Sequence, residues 1–312
     1  MNIIQTVQNG WDRFWFSNPT TIENIGLARI GLGLGLILLN ISEFHTLLTL
    51  NLSGPYFYYI ERVWYFKLLG IETMIPALNL AFFALLMAAT VGVILGWRTR
   101  ISAAVLILCI FYLMGVRDSI AGDEHHRYYM WVHALVFLAI GRAGEVLGLD
   151  ARRARRPMEA WEATWPIRAA QAYVAWFYFI SAVAKVRVSG MNWLATGAPV
   201  QKMLLVAQSR WGVDDTTVGR MLSDNPTLAL IAVVMTMTVE FGFPLLLFVR
   251  SEKLRLIFLL GIAFFHITNA AIGGVNFWVT PFLFIVFFDL GKRFEGRARS
   301  LQKVFEPSPA GG

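Results

Sequence analysis

The chain has 312 residues, of which 57% are hydrophobic and only 15% charged, and its mean hydropathy is +0.57. Soluble domains average about 45–50% apolar and about 25% charged residues, so a soluble enzyme is excluded, and 24 Phe with 11 Trp exclude a disordered chain. The net charge of +7 reads as basic cytoplasmic connectors rather than a nucleic-acid surface, and the single cysteine, Cys109, excludes an internal disulfide or a paired-cysteine site.

Residues 1–17 crowd Trp11, Phe14, Trp15 and Phe16 beside Asp12 and Arg13, which predicts an amphipathic helix lying in the membrane interface. Asn18-Pro19 breaks it. Eight spans follow, at about 25–48, 74–97, 101–120, 128–147, 168–186, 227–249, 256–272 and 276–290. GLGLG at 31–35 permits close helix contact in the first. The short basic turn GWRTR joins the second and third. The connectors ARRARRPMEAWEATWP and SEKLR are basic, and residues 291–312 form a basic tail ending in PSPAGG. Basic connectors alternate with poorer ones, which places both termini in the cytoplasm. The expectation is an all-α, polytopic integral membrane bundle over residues 18–290, in a bacterial inner membrane.

Ionisable groups within spans cost about 2.5–3.5 kcal/mol each on insertion scales and therefore mark interior faces or sites. Lys185 stands near the outer end of the fifth span. It either snorkels to the headgroups or is a partly buried amine able to accept a proton. Glu240 lies mid-span and has two open partners, Arg29 and Lys185; a structural ion pair of Arg29 with Glu240 is the expected arrangement, with Pro244 kinking the helix beyond it. Asp118, Asp123, Glu124, His125, His126, Arg127 and His133 cluster around the connector of spans three and four. Their spacing matches no metal site, and a polar cap or a pocket for a polar ligand head remains open. His266 lies on an apolar helix with Asn269 three residues on, on the same face.

FWFSNPTTIENIGLARIGLGLGLILL, GWRTR, YFISAVAKVRVSGMNWLATG and VEFGFPLLLFVRSEKLRLIFLLGIAFFHITNAAIGG, taken in this order and spacing, resemble the HTTM domain, the membrane core shared with vitamin K-dependent gamma-carboxylases. The resemblance runs from about residue 14 to 290 and implies a lysine base, Lys185, acting on reduced vitamin K or a menaquinone-type quinone, with oxygen-dependent epoxidation or carboxylation-type chemistry. It further implies catalytic roles for His126 and His266. Tyr178, Trp176, Trp193 and Asn269 are then the ligand-pocket residues, and no metal is expected. The carboxylases carry a lysine doublet where this chain has Ala184-Lys185, and a large lumenal domain follows their membrane core. These departures count against carboxylation of a docked protein substrate and leave a lysine-bearing pocket for a lipid or quinone; a peptide or protein substrate on the outer side stays a further expected partner. Two other classes stay open: a membrane partner or maturation protein without its own chemistry, and a proton-coupled transporter using Glu240, Arg29 and His266.

Overall fold

The computed structural model describes residues 3–15, 19–51, 61–72, 75–121, 126–211, 217–249, 251–273 and 277–293. Phe16, Asp123, Glu124, His125 and most of the basic tail lie outside them. The described residues are mostly helical, with no strand among them. The helices are α1 (Ile3–Trp15), α2 (Ile22–Asn51), α3 (Trp64–Leu69), α4 (Pro76–Leu95), α5 (Thr99–Ala121), α6 (Tyr129–Ile140), α7 (Ala160–Ser189), α8 (Asn192–Ala195), α9 (Ala198–Trp211), α10 (Thr217–Asp224), α11 (Pro226–Gly242), α12 (Glu252–Gly273) and α13 (Leu290–Arg293). The expected N-terminal helix is α1.

Among the described residues, six stretches are long and apolar enough to cross a membrane: Ile22–His45, Pro76–Leu95, Thr99–Ala121, Ala160–Ser189, Pro226–Leu247 and Glu252–Ala271. The protein is an integral, multi-pass, all-α membrane protein. The other two expected spans are shorter than the sequence suggests. The fourth is α6, 12 residues, or about 18 Å at 1.5 Å per residue against about 30 Å of hydrocarbon. It stops at Gly141, and Arg142 and Leu147 adopt left-handed backbone (φ 64° and 50°) that no helix can continue through. The eighth is a 3-10 helix, Thr280–Phe287. Pro244 does not kink a continuing helix either. α11 ends at Gly242 and passes into a 3-10 turn, Phe243–Leu247, with the proline in its first positions.

The chain forms two compact units, residues 1–170 with 285–312, and residues 171–284. In the first, the close helix contact expected from GLGLG is present: a Cβ on Gly33 would stand 2.4 Å from Ile94 of α4. α4 begins with Pro76 in its first turn and ends at Gly96, left-handed at φ 62°. Asp150 reaches in from a distant loop to cap α5, accepting from the Arg98 and Thr99 N–H groups at 2.8 Å each. Arg29 is fully buried. Its Nη1 donates to the Ala143 carbonyl (2.8 Å), and its Nη2 to the carbonyls of Leu147 (2.7 Å) and Ile94 (3.3 Å). These carbonyls belong to a helix end and to tight turns, and that of Ala143 also accepts from the Val146 N–H at 3.3 Å; Arg29 ties the three together. Gly96 is required beside it, because a Cβ there would come within 2.3 Å of Nη1.

A second buried polar layer joins α2 to α5 and α6. Glu43 accepts from Arg127 Nη1 at 2.7 and 2.9 Å and pairs with Arg117 at 3.2 Å, while Arg117 also meets Asp118. One turn earlier on α2, Asn40 accepts from the Tyr128 hydroxyl and donates to Thr90. Phe44 stacks on Tyr128 at 5.7 Å. Burial among apolar side chains pushes the Tyr128 phenol well above its ordinary range, with the Glu43 charge acting the same way.

The second unit has a core of Ala182, Val200, Leu204, Ala229, Val233 and Met237. The polar stretch between the fifth and sixth expected spans folds as α8, α9 and α10 over this core. α11 starts cleanly: the Asn225 side chain accepts from the Thr227 and Leu228 N–H groups, and Pro226 opens the first turn.

Candidate functional site

Three helices of the second unit each turn a buried stripe inward, and the stripes carry Tyr178 and Lys185, Glu240, and His266. On α7 the stripe is Gln171, Val174, Tyr178 and Ala182; Lys185 continues it by three residues. On α11 it is Ala229, Val233, Met237 and Glu240, and Phe243 follows one turn later. On α12 it is Leu259, Ile262 and His266. The steps of three and four residues are those of a single helix face.

Lys185 meets Glu240. Its Nζ donates to both carboxylate oxygens, at 2.6 and 2.7 Å. The carboxylate side chain is only 10% exposed and the lysine 27%. The Trp193 ring lies 5.7 Å from Nζ, in cation–π range. The bidentate contact settles the choice left open for Glu240. It pairs with Lys185, and the expected Arg29–Glu240 pair does not form, because the terminal nitrogens of Arg29 are held by backbone carbonyls of the first unit. Those carbonyls cannot exchange protons, so Arg29 also drops out of a proton path.

Seven residues before Lys185 on α7, or about 10 Å along a helix, the Tyr178 hydroxyl is hydrogen-bonded to His266 Nε2. Tyr178 stacks flat on Phe243, with centroids 4.1 Å apart and planes 9° from parallel. His266 also faces Phe277 at 5.7 Å. Its other ring nitrogen, Nδ1, is buried with no hydrogen-bond partner. The site thus has two polar tiers, Lys185–Glu240 and Tyr178–His266, with Phe243 one turn beyond Glu240 carrying the aromatic wall from one to the other.

Of the expected ligand residues, Tyr178 and Trp193 belong to this cluster. Asn269 is half-buried, three residues beyond His266 on α12. Trp176 does not line the site. It is 55% exposed and packs outward on Phe179 at 6.0 Å, because two residues from Tyr178 is more than half a turn around the helix. His126 belongs to the first unit, where it is exposed and its carbonyl accepts from the Tyr129 N–H at 3.1 Å. Two contributors, Phe243 and Phe277, were not singled out from the sequence. The spacing of Phe243 from Glu240 was a usable sign; Phe277 lies beyond the end of α12, where helical spacing gives none.

No curated protein and no solved structure matches this chain. The HTTM domain family matches residues 17–290, a stretch that takes in Lys185, Glu240, Tyr178, Trp193 and His266. The chain is a member of the HTTM domain family, a membrane domain linked to vitamin K-dependent carboxylase.

Proposed function

We propose that the second unit is the active centre of an intramembrane enzyme that binds a reduced quinone of the vitamin K or menaquinone type, with Lys185 as the base that deprotonates it. The observation that carries this reading is the bidentate Lys185–Glu240 pair, inside a helical bundle and next to aromatic walls. A separated ammonium and carboxylate are expensive in so apolar a place. Moving one proton across the 2.6 Å contact gives a neutral amine and a neutral carboxylic acid, and a low dielectric narrows the gap between the two states. The amine then offers its lone pair at Nζ to an acidic hydroxyl, while Glu240 holds the other proton. Trp193 keeps a face for the ammonium that results.

The residues fit a flat apolar ring bearing two oxygens. Tyr178 and Phe243 form a planar wall, Lys185 addresses one oxygen, and His266 has a ring nitrogen still unfilled. When bound, the reduced quinone supplies the oxygen-reactive centre. Lys185 lies near the C-terminal end of α7, so with the basic connectors in the cytoplasm it sits towards the outer leaflet of a bacterial inner membrane. A peptide or protein acceptor for carboxylation-type chemistry approaches from that side.

The bidentate contact also favours a second reading, in which the pair only holds α7 to α11 and the protein serves as a membrane partner without chemistry. Oxygen-dependent oxidation of a reduced naphthoquinone by the purified full chain in detergent separates the two. Oxidation by the wild type and none by folded Lys185→Ala is the expected result. Equal oxidation by both proteins overturns the reading.

A further inference from the structure

We infer that Tyr178 fixes the tautomer of His266 so that the imidazole presents Nδ1–H as a hydrogen-bond donor to a neutral ring oxygen of a lipid-soluble quinone, the hydroxyl of its reduced form or the carbonyl of its oxidised form. The inference rests on the quinone reading of the same site and adds to it a recognition contact and the residue that sets it. The hydroxyl–imidazole contact has two possible arrangements. If Nε2 carries the proton and donates to the phenol oxygen, the phenol proton is left without an acceptor and Nδ1 is a bare lone pair, which makes two orphans in a buried place. If Tyr178 donates to Nε2, the proton of the neutral imidazole sits on Nδ1, and that N–H is the single orphan. An unpaired buried polar group is costly and lipid tails cannot satisfy it, so the arrangement with one orphan prevails.

That remaining N–H then needs an acceptor. His266 is 6% exposed and Tyr178 5%, so bulk water does not supply one. The rings around it are Phe277 at 5.7 Å and Phe265 at 5.4 Å, neither of which carries a hydrogen-bonding oxygen. The acceptor is neutral rather than anionic, because a charge without a counter-ion is costly in so buried and apolar a place. A flat, apolar quinone meets each condition. Tyr178 is a positioning residue here, since it acts through His266.

The test reads the tautomer directly. The full chain in detergent is labelled with 15N-histidine; five histidines give few signals, and the one lost in His266→Asn identifies His266. The wild type is expected to show a protonated Nδ1 and a bare Nε2, and Tyr178→Phe to move towards the Nε2–H form. Addition of a prenylated 1,4-naphthoquinone shifts the Nδ1–H proton downfield, whereas squalane of similar bulk leaves it in place. Binding, followed by quenching of tryptophan fluorescence, should survive in His266→Asn, whose amide nitrogen falls near the Nδ1 position, and weaken about tenfold in His266→Gln, the loss of one hydrogen bond. An Nε2–H tautomer in the wild type, an unmoved Nδ1–H with the naphthoquinone, or equal binding by the Asn and Gln variants each overturns the inference. The predicted tautomer and shift, in a protein that oxidises no reduced naphthoquinone, uphold the contact and defeat only the enzymatic reading.

Discussion

The two units bury charge in different ways. In the first, Arg29 holds three carbonyls that belong to chain turns, and Glu43 is shared between Arg127 and Arg117. Each of these groups joins several segments, and none of the carbonyl partners can take up a proton. In the second, Lys185 meets one carboxylate and His266 one phenol. Both units carry a buried nitrogen without an acceptor, Arg29 Nε and His266 Nδ1, but Arg29 cannot release a proton under any ordinary condition. Buried polar groups therefore gather several segments in one unit and stand two by two in the other, and it is on these pairs that the proposed chemistry draws.

The largest expected effect that tests this contrast is Arg29→Leu. It takes a buried donor from three carbonyls, of which that of Ala143 keeps the Val146 N–H; each one left without a partner costs about 1–3 kcal/mol, a large share of the whole stability of a protein. The variant should fail to give a monodisperse peak in detergent size-exclusion chromatography, and a wild-type profile would show that Arg29 does not tie the turns together. Glu43→Leu comes next. It takes the Glu43 carboxylate from Arg127 and leaves Arg117 with Asp118, a cost of up to about 3 kcal/mol, read as a lower midpoint in detergent thermal unfolding. An unchanged midpoint would place this layer with exposed pairs of little worth. The smallest effect is for Trp176→Leu, which should change stability and turnover by no more than about 0.5 kcal/mol; a marked loss of naphthoquinone oxidation would return Trp176 to the site.

Much of this was legible in the sequence, and the limits are physical. The third span is bounded by Gly96 on one side and polar residues on the other, and α5 falls within two residues of the expected ends. The first turn of α11 was marked by Asn225-Pro226. The shortness of α6 was hidden, because its end depends on the turns whose carbonyls Arg29 gathers from another helix, and hydropathy does not register such long-range bonds. Lys185, Glu240 and His266 stood out because charge within a span is rare. The choice between Arg29 and Lys185 as partner for Glu240 was hidden, since depth along a span says nothing of which helices meet. Trp176 was misread for the opposite reason: the buried stripe 174, 178, 182 already places it on the other face, and an aromatic-rich segment obscured the period.

The most direct measurement compares wild type with the double variant Lys185→Met, Glu240→Leu for thermal midpoint and for oxygen-dependent oxidation of a reduced naphthoquinone. Replacing a buried ion pair by apolar side chains of similar volume is often neutral or stabilising. The account therefore predicts a midpoint at or above that of the wild type together with complete loss of oxidation. A double variant that still oxidises the reduced naphthoquinone at the wild-type rate would contradict it.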